Sequence, residues 1–171
     1  KRREIFMGKK KSIKIDLRVV ISLAAVLISL LSLAFLSLEA VNLKLKVGSG
    51  LIQLSSYSLV EVIFGNADRR IEGSTLLLIS FILIIVGSIF NGLYFKCKYS
   101  AFVGGICNLF ASICFYLTVA SFLGVNSSLN INGNPIANTV SSIGVGAILV
   151  ATFNLVSSLV MLGLGFEGVR K

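Results

Sequence analysis

Four runs of apolar residues, each long enough to cross a bilayer and none with a charge in its middle, limit what this chain can fold into. They cover residues 19–41, 75–95, 101–125 and 139–166. The hydrocarbon core of a bilayer is about 30 Å thick and takes roughly 20 residues of helix to cross. In that solvent every backbone N–H and C=O must be satisfied internally, which helices do within one segment. The lone proline, Pro135, falls between runs, so no helix is expected to carry a proline kink. Composition points the same way. Hydrophobic residues make up 56% of the 171 and charged residues 13%, and a soluble domain of this size lacks the interior to hide so much apolar surface. The expected fold class is all-α integral membrane: a four-transmembrane-helix antiparallel bundle. The first run is longer than the about 7–15 apolar residues of a signal peptide, so it reads as a retained anchor.

Charge distribution sets the orientation. Residues 1–18 form a basic tail holding eight of the sixteen Lys and Arg. The turn 96–100 adds Lys96 and Lys98, and the end 167–171 adds Arg170 and Lys171. The other side has Lys44, Lys46, Arg69 and Arg70 in segment 42–74 and none in segment 126–138. Twelve against four predicts, by the positive-inside rule, a multi-pass plasma-membrane protein with both termini cytoplasmic. Within the tail, Lys9, Lys10, Lys11, Lys14 and Arg18 are the candidate contacts to anionic lipid headgroups, each contributing roughly 1 kcal/mol. The net charge of +9 is therefore read as membrane-surface charge. Nucleic acid is not the expected partner, because no aromatic residues are interleaved with the tail to stack bases.

Reactive chemistry is sparse. The chain has no histidine, and its cysteines are Cys97, Cys107 and Cys114. An odd number of cysteines does not make a disulfide framework, and no Cys/His set has metal-ligand spacing. No catalytic residue, metal ligand or cofactor is assigned, and no enzymatic activity is expected.

The segments between the runs carry strand signals. Residues 42–47 alternate polar and apolar, Gly48-Ser49-Gly50 supplies a turn, and residues 51–54 resume extended character, which predicts a β-hairpin. Residues 57–64 suit a strand or a short helix. Asp68 and Glu72 flank Arg69 and Arg70 in what reads as a solvated local ion-pair cluster. Segment 126–138 holds Asn132-Gly133, the strongest short hairpin turn. Two isolated strands are marginal in water, so both segments are expected to join in one small sheet capping the bundle. Asn126-Ser127-Ser128 is a glycosylation sequon, making Asn126 a candidate acceptor.

This order of parts resembles the layout of the claudin-like four-span proteins: helix, long stranded outer loop, two helices with a tight inner turn, short stranded loop, helix. The tryptophan motif and cysteine pair of that family's first outer loop are absent here, so the resemblance implies the layout and no functional residues.

Within the runs, small and weakly polar residues recur every four positions. Gly104, Asn108 and Ser112 do so beside Gly105; Ser142 and Gly146, Ala147 and Ala151, and Asn154 and Ser158 repeat the step. Such spacing lets helix backbones approach closely, either inside the bundle or against another membrane subunit or a second copy. Asn91, Asn108 and Asn154 fall at a similar depth and either satisfy one another or line a polar pocket. The absence of ionisable groups at this depth argues against proton relay or ion-coupled transport. The expected function is a non-enzymatic structural or accessory subunit of a larger membrane assembly. It would act through its outer cap and small-residue helix faces. The alternative is a small channel or carrier for an uncharged or lipidic molecule at the asparagine level.

Overall fold

The computed structural model describes residues 16–47, 50–97, 99–127, 130–131, 134–135 and 139–169. In chain order the elements are α1 (Leu17–Ser32), β1 (Glu39–Val47), β2 (Gly50–Ser58), α2 (Leu59–Phe64), α3 (Thr75–Gly92), α4 (Tyr99–Tyr116), α5 (Thr118–Val125), β3 (Asn130–Ile131), β4 (Asn134–Pro135), β5 (Thr139–Ile143) and α6 (Val145–Val169). Turns of 3-10 helix over Leu33–Ser37 and Leu93–Phe95 prolong α1 and α3. Four helical stretches are long and apolar enough to span a membrane: Leu17–Ser37, Thr75–Phe95, Tyr99–Tyr116 and Val145–Glu167. α1 packs on α3 and α6, and α4 packs on the same two, so the four form a closed ring.

Helix starts follow local side-chain chemistry. Asp16 caps α1 by accepting from Arg18 N at 3.0 Å, and Ser74 caps α3 at Leu77 N, 3.3 Å. Each satisfies a backbone donor that the first turn leaves open. At α2 a full capping box forms between Ser58 and Glu61. That box resolves residues 57–64 into the end of a strand and a short helix.

β1 is the middle strand of a three-stranded antiparallel sheet ordered β2-β1-β5. Val41 stands opposite Tyr57 on β2 and Ile143 on β5. Ala40, Val41 and Leu43 are fully buried and belong to the same core cluster as Leu59, Phe115, Phe122 and Val150. The sheet is thus fastened to the bundle by a continuous apolar core, with the Tyr57 and Phe122 rings 5.1 Å apart.

Several expectations need correction. The third strand does not come from the hairpin of segment 126–138. Among the described residues that hairpin pairs with itself alone, Asn130 with Pro135 and Ile131 with Asn134; its Asn132-Gly133 turn lies outside the described residues, as do Gly48 and Ser49. The third strand is β5, drawn from residues read as the start of the fourth span. Ser142 accordingly stands on a strand opposite Asn42 and not on a helix face. Likewise the first span ends in strand by Glu39, not at residue 41. Both errors have one cause: hydropathy records that Val41 and Ile143 are apolar, not whether lipid or a protein core covers them. The third span is also two helices, broken at Leu117 without proline. Thr118 Oγ1 donates back to Phe115 O at 2.6 Å, a local bond that competes with the helical ladder. The ion pair that forms beside α2 is Arg69–Glu61, 3.4 Å, and it does not involve Asp68 or Glu72.

Gly144 makes the strand-to-helix corner possible. Its N–H donates to Ala40 O at 2.7 Å, and a β-carbon there would overlap Glu39 O. Only glycine lets β1 and the start of α6 approach so closely.

Candidate functional site

The polar groups of the helices meet in a seam along the bundle axis. Asn154 on α6 is its best-connected member and is fully buried. Its Nδ2 donates to Ser32 Oγ at 2.9 Å and to Val150 O at 2.8 Å, while its Oδ1 accepts from Ser29 Oγ at 2.9 Å. Ser88 of α3 donates to Ser29 Oγ at 3.0 Å, so one network ties α6, α1 and α3. A second run crosses to α4: Asn108 Nδ2 donates to Ser157 Oγ at 3.3 Å, and Ser157 Oγ donates to Ala25 O at 2.9 Å. Ser112 Oγ donates to Ala151 O at 2.7 Å, and Ser22 Oγ to Asn91 O at 2.6 Å. Side-chain hydrogen bonds between membrane helices contribute on average about 0.6 kcal/mol each, so the seam stabilises by number.

Asn91 and Asn108 take part in a second, reciprocal arrangement. Each is four residues from a glycine, Gly87 on α3 and Gly104 on α4. The helices run antiparallel, and the Asn91 carboxamide occupies the space of the missing β-carbon of Gly104, as Asn108 does for Gly87. The amides therefore act as knobs filling glycine holes. Hydrogen bonding here is incomplete: Asn91 Oδ1 and Nδ2 and Asn108 Oδ1, and likewise Ser158 Oγ, are buried without partners among the described residues. Buried polar atoms left this way cost roughly 1–3 kcal/mol each.

The other small residues named from spacing also face inward. Gly104, Gly105, Asn108, Ser112, Gly146, Ala147, Ala151, Asn154 and Ser158 are all buried within the one chain. Gly105 packs against Leu162 and Gly146 against Leu38. The three asparagines do not hydrogen-bond to one another among the described residues. Among the seam members that went unassigned in the sequence are Gly87, Ser88 and Ser157. The equal spacing of Gly87–Asn91 and Gly104–Asn108 is the signal that points to Gly87; nothing in the sequence marks Ser88 or Ser157.

Lys9, Lys10, Lys11 and Lys14 lie outside the described residues. Arg18 pairs with Glu167 at 3.3 Å. Asn126 is 2% exposed and clasps the backbone of Glu72. Its Oδ1 accepts from Glu72 N at 2.9 Å, and its Nδ2 donates to Glu72 O at 3.1 Å and Phe122 O at 3.2 Å. The amide nitrogen that would carry a glycan is thus engaged by two backbone carbonyls.

On the sheet end, β2 is an edge strand with no charged residue and no proline. Leu51 and Ile52 on it are 56% and 57% exposed. Arg69 Nη1 donates to Ser56 O at 3.2 Å, covering its second half alone. Beside it, partial burial pushes the Glu61 carboxyl up, but the Ser58 backbone N–H, the Asn66 amide and Arg69 together hold it below its ordinary value. Among the described residues no three His, Cys, Asp or Glu come together as a metal-binding group. The seam offers hydrogen-bond donors and acceptors but no group that titrates near neutrality. Comparison of the sequence with protein-family models and with curated proteins finds no match.

Proposed function

We propose that this chain is a non-enzymatic structural or accessory subunit of a larger plasma-membrane assembly. It crosses the bilayer four times with both ends in the cytoplasm and meets its partner, another subunit or a second copy, through the strand-bearing cap. The observation that carries this reading is the edge strand β2. Native sheets guard such edges with charges, prolines or coverage; the first half of β2 has no charge and no proline, and among the described residues nothing covers Leu51 and Ile52, which are exposed. The inward-facing small residues favour the cap over the helix faces as the contact surface. Solubilisation in a mild detergent followed by native mass measurement tests the reading. A complex with stoichiometric partners or further copies supports it, and Ile52→Lys should release them without unfolding the chain. A lone monomer throughout overturns it.

One observation favours the carrier reading, namely the unpartnered amide atoms of Asn91 and Asn108. Against it, those amides are packed on glycine backbone. If Asn108→Leu with Asn154→Leu leaves the fold intact and abolishes flux of an uncharged solute in vesicles, the carrier reading replaces the first.

A further inference from the structure

At the end of the bundle away from the sheet, the first turn of α1 and the last turn of α3 enclose a cavity of about 220 Å³ lined by Asp16, Arg18, Val19, Tyr94, Phe95 and Lys96. Two other grooves on the helix surfaces expose apolar surface alone; this one is polar and carries both signs of charge.

Its charged groups are unevenly matched. The Arg18 guanidinium is engaged by Glu167, and its backbone N–H by the Asp16 carboxylate. Lys96 has no carboxylate partner among the described residues; its ammonium lies 5.7 Å from the Phe95 ring centroid. Tyr94 is 6% exposed, and its hydroxyl has no hydrogen-bond partner among the described residues. The lining thus holds an unmatched cation and a hydroxyl donor from the end of α3, together with the Asp16 carboxylate at the start of α1. Phe95, which lines the cavity, is also exposed and gives it an apolar edge.

We propose that this cavity binds the headgroup of a zwitterionic phospholipid with a primary amine, its phosphate against Lys96 and the Tyr94 hydroxyl and its ammonium against Asp16. A purely anionic headgroup fits less well, because Asp16 repels it and Glu167 already neutralises Arg18. The exposed Phe95 ring selects a lipid over free phosphate, giving acyl chains an apolar path out of the cavity. The proposal rests on the membrane location stated above.

The test is native mass spectrometry of the full chain in mild detergent, titrated with dioleoyl phosphatidylethanolamine, dioleoyl phosphatidylglycerol or inorganic phosphate. One phosphatidylethanolamine per chain is expected, held more tightly than phosphatidylglycerol. Lys96→Gln, on the surface, should weaken it about tenfold, the scale of one charge-assisted hydrogen bond. Tyr94→Phe, which keeps the buried ring, should weaken it a few-fold, and Asp16→Asn should erase the preference over phosphatidylglycerol. Equal binding of both lipids, adducts indifferent to Lys96→Gln and Tyr94→Phe, or displacement by inorganic phosphate would each overturn the site. A chain that partitions into membranes but retains no phosphatidylethanolamine sinks the site alone, whereas a chain that fails to partition sinks the membrane reading with it.

Discussion

The carboxamide of Asn91 fills the place where a β-carbon on Gly104 would stand, and Asn108 fills the same place on Gly87. This exchange fixes the α3–α4 crossing through shape, with the polar atoms left over as a cost.

Gly104→Ala should therefore destabilise the bundle by about 1–3 kcal/mol, the usual penalty of forcing a methyl into a filled core. Asn91→Ala in the same chain empties that space, so the double variant should lose less than the two single losses added together. Reversible unfolding in detergent, followed by helical circular dichroism, measures the cycle. Simple additivity would show that the two residues do not share the space.

Asn154 and Asn91 should respond differently to leucine. Asn154→Leu strips bonds to Ser29 and Ser32 and leaves both hydroxyls buried, an expected loss of about 1–3 kcal/mol. Asn91→Leu removes two unpartnered polar atoms at the same depth, so its loss should be the smaller. The same unfolding assay ranks them, and an equal or larger loss at Asn91 would mean that its amide has partners in the bilayer.

Asn126→Gln shifts the amide by one methylene and should break its pair of hydrogen bonds to the Glu72 backbone, costing about 1–2 kcal/mol. Hydrogen exchange should then rise at Glu72 and at the end of α5. Expressed in a glycosylating host, the unmodified sequence should show no glycan mass on Asn126.

Glu61 gives the cap a pH dependence whose sign follows from its lowered value. Above the ordinary carboxylate range the folded and unfolded chains both hold it ionised, and its stabilisation is fully present. As pH falls through the ordinary value and then the folded one, the unfolded chain takes the proton first and the stabilisation is lost. Melting of the cap, followed at Tyr57, should drop on acidification below about pH 4.5, the ordinary value for this group. In Glu61→Gln that drop should shrink; an unchanged acid profile would assign it to other carboxylates.

Much of the cap was legible residue by residue. The alternation over residues 42–47 is β1, and residues 51–54 lie in β2. The short strands on either side of Asn132-Gly133 pair, Asn130 with Pro135 and Ile131 with Asn134. Its isolation from the main sheet was not legible, because strand partnership is a long-range choice that turn residues do not encode. Asn126 shows the same limit: a sequon is read from three residues, while the Glu72 backbone that claims the amide lies 54 positions away.

By itself the sequence determined the four long apolar helices, the polar segments between them and the small-residue spacing on their faces. These follow from local periodicity and from the length of helix a bilayer demands. Only the tertiary structure decided that residues 139–143 leave the fourth helix to complete the sheet, and that the small faces turn inward onto one another. It also decided that Asn91 and Asn108 meet glycines and not each other. Those outcomes depend on which surfaces pair across the fold, and apolar residues look alike in sequence whether lipid, a sheet or a neighbouring helix covers them.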